Sequence, residues 1–130
     1  MDNFLIKVNR IHDLASNMPK MTNLTWIYPL EQHFSIAVDR RRYIYLTGGI
    51  TSNLNHSSAW ACMLDIHTLR KEILPDLNEA KYWHSSIVLN NHVFIFGGLL
   101  KLDSFSGTIE SLDVITKYAW HMILQGNNIV

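Results

Sequence analysis

Tyr43-Ile44-Tyr45-Leu46-Thr47-Gly48-Gly49 decides how this chain folds. Five residues suited to a pleated, buried surface end in a glycine pair, which marks backbone that turns sharply or packs closely on other backbone. The pattern returns at Val93-Phe94-Ile95-Phe96-Gly97-Gly98, 49 residues on. A period near fifty points to a repeat. Upstream, His33-Phe34-Ser35-Ile36-Ala37-Val38 matches His84-Ser85-Ser86-Ile87-Val88-Leu89 at an offset of 51, which puts His33 and His84 at equivalent positions. Downstream, Leu64-Asp65-Ile66-His67-Thr68 matches Leu112-Asp113-Val114-Ile115-Thr116 at 48. The change of offset places a two-residue difference in the first turn, Asp39-Arg40-Arg41-Arg42 against Asn90-Asn91. Turns tolerate such changes.

The expected strands of the first unit are 34–38, 43–47, 59–64 and 71–74. Those of the second are 86–89, 93–96, 108–112 and 120–124. Asp65 and Asp113 start short turns, because an aspartate side chain accepts hydrogen bonds from nearby backbone N–H groups. Residues 1–32 do not repeat cleanly. Strands are expected at 4–8 and 25–28, with a rival helix over 11–18 on the spacing of Ile11, Leu14, Ala15 and Met18.

These units resemble the kelch repeat, whose members of about fifty residues each fold as one four-stranded propeller blade. The resemblance rests on Gly48-Gly49 and Gly97-Gly98, on Asp65 with Thr68 and Asp113 with Thr116, and on Trp120, seven residues after Asp113. It covers 33–124. Glu72 stands where the first unit's tryptophan would be, Leu64 and Leu112 where a tyrosine is usual, and Lys81 where an arginine is usual. The resemblance implies an all-β fold: a kelch-type β-propeller portion of two full blades, 33–83 and 84–130. Residues 1–32 are then part of a preceding blade or a lead-in. A propeller ring holds about four to eight blades. Further blades, self-association or a covering subunit are therefore expected at two bare end faces.

Composition narrows the function. Lysine and arginine number 11, aspartate and glutamate 11, so no net field recruits nucleic acid or an anionic membrane. One cysteine, Cys62, forms no internal disulfide. Residues 1–10 mix Asp2, Asn3, Lys7 and Asn9 among apolar residues, unlike a secretory signal. No apolar run reaches the length of a membrane span. A cytoplasmic location is expected.

Strand alternation puts the long loops 50–58 and 99–107 on one rim, beside the connectors 30–32 and 76–83. That rim carries Asn53, Asn55, His56, Lys81, Tyr82, Trp83, Lys101, Asp103, Ser104 and Phe105. Aromatic, polar and charged residues on scaffolded loops suit recognition. For Trp83 and Phe105, packing back onto the sheets is the competing role. No paired histidine spacing, nucleophile elbow or phosphate loop is present, and no cofactor is expected. Arg40-Arg41-Arg42 on the opposite rim reads as a solvated turn, with an anionic partner as the alternative. The expected function is a non-catalytic protein-interaction module. Kelch proteins often serve as ubiquitin-ligase substrate adaptors or as scaffolds, and the adaptor role needs a further ligase-binding domain. The alternatives are an enzyme on a kelch-like propeller, such as a sugar oxidase, epimerase or lyase, and a structural subunit of a large assembly.

Overall fold

A computed structural model of the chain describes residues 33–50 and 56–125, with the backbone of 128–129. The expected strands at 4–8 and 25–28, and the rival helix, lie outside these residues. All regular structure among the described residues is β. The first unit forms β1 (Ser35–Asp39), β2 (Tyr43–Thr47), β3 (Ala61–Asp65) and β4 (Arg70–Ile73), an antiparallel sheet in chain order. The second forms β5 (Ser85–Leu89), β6 (His92–Phe96), β7 (Leu99–Lys101), β8 (Ser104–Phe105), β9 (Thr108–Asp113), β10 (His121–Gln125) and β11 (Asn128–Ile129). Its sheet runs β5-β6-β9-β10-β11, while β7 and β8 pair as a separate hairpin. The loop expected at 99–107 therefore holds a hairpin of its own.

Strand character follows position. β2 is buried from Ile44 through Thr47, so it packs on both faces, and its apolar run lacks alternation for that reason. β4 is exposed at every residue and lies at the outer side of its sheet.

The hairpin turns correct the repeat alignment. Asp39 pairs with Tyr43, leaving three loop residues, whereas Leu89 pairs with His92, leaving two. The turns differ by one residue, Arg42, and not by two. Backbone angles agree. Arg40 and Arg41 (φ 56° and 54°) correspond to Asn90 and Asn91 (51° and 61°), and His33 (59°) corresponds to Trp83 (55°). β1 and β5 are thus offset by 50 residues. A one-residue slip would send every side chain to the opposite face. His33 is equivalent to Trp83 and Phe34 to His84, so the two histidines do not share a position.

The sheets pack face to face. Ala37, Tyr45, Ala61 and Met63, with Leu74 and Leu77 of the connector, share one core with Val93, Ile95, Leu112 and Trp120. The Trp120 indole N–H donates to the Pro75 carbonyl at 2.8 Å. Where β1 and β5 run side by side the Ser35 and Ser86 hydroxyls lie 2.6 Å apart, and Trp83 N–H donates to the His33 carbonyl at 3.0 Å. On the other face of the first sheet, Ile44, Leu46, Cys62 and Leu64 are at most 1% exposed. The expectation of two bare end faces therefore fails for this sheet. The second sheet does leave an apolar face open, with Ile87, Leu89 and Phe96 about half exposed.

Both aspartate turns form as read. Asp65 Oδ1 accepts from His67 N–H and Thr68 N–H (2.9 and 3.4 Å), and Asp113 Oδ1 from Ile115 N–H and Thr116 N–H (2.8 and 3.3 Å). The inserted Arg42 also grips Asp65, donating to both carboxylate oxygens at 2.9–3.2 Å. That guanidinium is the main reason the Asp65 carboxyl is held down to about 2. Asp113 is also lowered, by Ile115 and Thr116 N–H first.

A carboxyl depressed on folding stabilises the fold above its unfolded pKa of about 4 and loses that contribution as pH falls toward its folded value. Denaturant midpoints measured across pH should therefore drop between pH 4 and 2. Asp65→Asn should lower the midpoint at pH 7 and flatten that acid drop. An unchanged acid profile would show that the Arg42 grip is not felt in solution.

Candidate functional site

The rim expected to carry recognition is stitched by backbone. Gly49 N–H donates to the Lys81 carbonyl (2.9 Å), Ser58 N–H to Gly49 (2.8 Å) and Lys81 N–H to Ser58 (3.1 Å). Tyr82 and Leu99 exchange N–H···O bonds at 3.0 and 2.8 Å, and Leu99 pairs in turn with Phe105. A chain of bridges thus joins the β2–β3 loop, the connector and the β7–β8 hairpin.

Glycine makes this approach possible. At Gly48 (φ 64°) a Cβ would strike the Lys81 carbonyl oxygen and the His84 ring. At Gly98 (φ 83°) it would lie 2.5 Å from the Tyr82 carbonyl oxygen. At Gly97 (φ 73°) it would meet nothing within 4 Å. Gly48 and Gly98 are close-packing positions, and Gly97 is conformational alone.

The structure separates the residues expected on this rim. Lys81 and Tyr82 are buried and face no solvent. The expectation that they lie open for a partner is corrected: the connector pairs on both sides, and the Lys81 and Tyr82 side chains turn inward. Trp83 is 56% exposed, with its ring centroid 4.4 Å from that of His33. Phe105 is 81% exposed. His56, Lys101 and Asp103 are exposed, and Ser104 is half-buried. Asn53 and Asn55 lie outside the described residues. Leu102, 77% exposed at the hairpin tip, belongs with them but was not singled out from the sequence. Asp103 at φ 69° closes that tip.

Beneath the rim lies a polar cluster. The Lys81 ammonium donates to the Ser106 and Thr108 hydroxyls (3.0 and 2.8 Å) and lies 3.2 Å from Glu79 Oε1. Its three N–H donors thus match three partners. Both hydroxyls donate to the same Glu79 oxygen, at 2.6 and 2.8 Å. Burial pushes the Glu79 carboxyl up, but the bonds from Ser106, Thr108 and Lys81 outweigh it and leave the group below its ordinary value. Such saturation suits a structural post, since no donor remains for a ligand. Its immediate neighbours read like those of a solvated lysine; the sign in the sequence is that it stands where the resemblance sets an arginine.

Among the described residues, no three histidine, cysteine, aspartate or glutamate side chains gather as a metal site. Cys62 is buried, and burial pushes its thiol up to about 12, far from a reactive thiolate. No helix among the described residues is long and apolar enough to cross a membrane. Neither protein-family models nor curated proteins match this chain.

Lys81→Met should destabilise the fold by about 3–5 kcal/mol, the cost of leaving a partly buried carboxylate without its cation. Gly97→Ala should cost about 1–2 kcal/mol, the left-handed penalty alone, and Gly48→Ala distinctly more. Urea titration of the three variants tests both. Equal losses at Gly48 and Gly97 would show that the backbone approach is not tight.

Proposed function

We propose that this chain is a portion of a kelch-type β-propeller working as a non-catalytic protein-interaction module. The observation that carries the reading is the exposed set Trp83, Leu102 and Phe105 on a rim whose backbone is bridged from loop to loop. Large apolar side chains on rigid backbone bind with little ordering cost, and aromatic anchors dominate protein interfaces.

The propeller reading is supported by two antiparallel sheets of four and five strands, each ordered along the chain, by β1 and β5 lying side by side, and by one set of turns repeated at offsets of 50, 49 and 48. The same repeat distinguishes the exposed aromatics. Trp83 covers its equivalent His33, so in a longer array a residue of the following blade covers Trp83. Ile87, Leu89 and Phe96 are covered in the same way. Leu102 and Phe105 stand on the hairpin, away from that succession. They are the partner-facing residues, and Trp83 is shared between partner and neighbouring blade. Scaffold and adaptor roles both follow from such a surface.

Affinity capture with the intact protein should recover partners that Phe105→Ala and Leu102→Ala each lose by at least fivefold, with circular dichroism unchanged. Trp83→Ala should weaken capture less and lower stability more. If both hairpin variants retain every partner, this rim is not the interaction surface.

A further inference from the structure

On the opposite rim the two sheets part around a cleft of about 290 Å³, where the β1–β2, β5–β6 and β9–β10 turns meet. Tyr43, Tyr45, Met63 and Val114 supply an apolar lining. Arg40, Asn91 and Lys117 supply its polar side.

Arg40 spans the two sheets. Its Nη2 donates to Asn91 Oδ1 at 3.2 Å, and its Nε lies 3.9 Å from Asp39 Oδ1. A guanidinium carries five N–H donors, so most remain for a ligand. Its side chain is 70% exposed. Arg41 stands exposed beside it, and Lys117 pairs with Glu72 at 3.0 Å. Arg40 and Lys117 line the cleft with Asp39, Lys117 is already paired with Glu72, and the Arg40 guanidinium is the lining cation with donors to spare.

A second observation concerns the turn itself. Arg40 and Arg41 hold φ of 56° and 54°, where side chains other than asparagine and aspartate are strained. The equivalent turn of the second unit uses Asn90 and Asn91, which tolerate that conformation. Strain kept at exposed arginines, where asparagine would serve the turn better, points to a role for their charge.

We propose that this cleft binds an acidic peptide segment of a protein partner: a carboxylate is taken by Arg40, and a neighbouring apolar side chain rests on Met63 and Val114. Arginine suits planar carboxylates because its fork offers parallel N–H donors. Burial pushes the Tyr45 phenol up to about 12, so its hydroxyl stays a neutral hydrogen-bond donor. A nucleic acid needs a longer track of cations along its phosphates. Inorganic phosphate would leave the apolar lining unfilled.

Selection from a phage-displayed random decapeptide library on the full chain tests this, followed by fluorescence anisotropy of the enriched peptide. The expected consensus holds two or more aspartates or glutamates around an aliphatic or aromatic residue. Arg40→Asn with Arg41→Asn copies the second unit's turn, so it should keep the melting temperature while lowering affinity at least tenfold. Lys117→Asn, at a residue with φ 54°, is the independent variant and should weaken binding in the same direction. No enrichment, a neutral or basic consensus, or equal binding by the variants would overturn the proposal. So would single-stranded oligonucleotide or inorganic phosphate binding with the same arginine dependence in place of an acidic consensus.

Discussion

A carboxylate with no exposed surface holds the two sheets in place through the segment that joins them. Glu110, in the middle of β9, accepts from Asn78 N–H at 2.7 Å, Asn78 Nδ2 at 2.9 Å and Glu79 N–H at 3.1 Å. A buried charge is costly unless its lone pairs are taken, and here three donors take them. Asn78 Nδ2 also donates to the Trp120 carbonyl, so one side chain ties the connector to both β9 and the approach to β10. The rest follows in space. Leu74 and Leu77 reach the shared core, Pro75 meets the Trp120 indole, and Lys81 arrives over Ser106 and Thr108. Were the connector to slide by one residue, Lys81 would leave its partners and Gly49 would lose the Lys81 carbonyl.

Much of this was legible in the chain, and the reasons are local. Gly48-Gly49 and Gly97-Gly98, with Asp65 and Asp113 and their threonines, act within a few residues of themselves, so their effect can be read directly. Strands whose residues alternate or run apolar fall within about two residues of expectation. The misreadings have a common cause. His33 and His84 share a letter, yet correspondence is set by hairpin length, which one inserted arginine changes. Lys81 resembles any surface lysine until Glu79, Ser106 and Thr108 converge on it, the two hydroxyls from 25 and 27 residues away. The β7–β8 hairpin hid in a segment of leucines and small polar residues without clear alternation. Asp103 at its tip was the available sign.

The two rims are built by different means. One is joined by main-chain bonds from Gly49 through Leu99, which use no side chain and need Gly48 and Gly98 for the close approach. The other is joined across the sheets by a side chain, Arg40 to Asn91, while the Ser35–Ser86 pair lies toward the bridged end. Exposed turn positions such as Arg41 can therefore vary around the fixed Asp65 turn, while the bridged rim keeps its backbone so long as Gly48 and Gly98 remain.

β4 has one more consequence. An unpaired strand at the side of a sheet is a template for a strand of another molecule, the route by which folded proteins seed fibrils. Here that strand carries Arg70, Lys71 and Glu72, all exposed, and Lys71 leans over the Trp60 ring with its ammonium 5.2 Å from the centroid. A foreign strand would have to strip water from three charges before its first ladder bond formed. This edge of the first sheet thus resists cross-β growth.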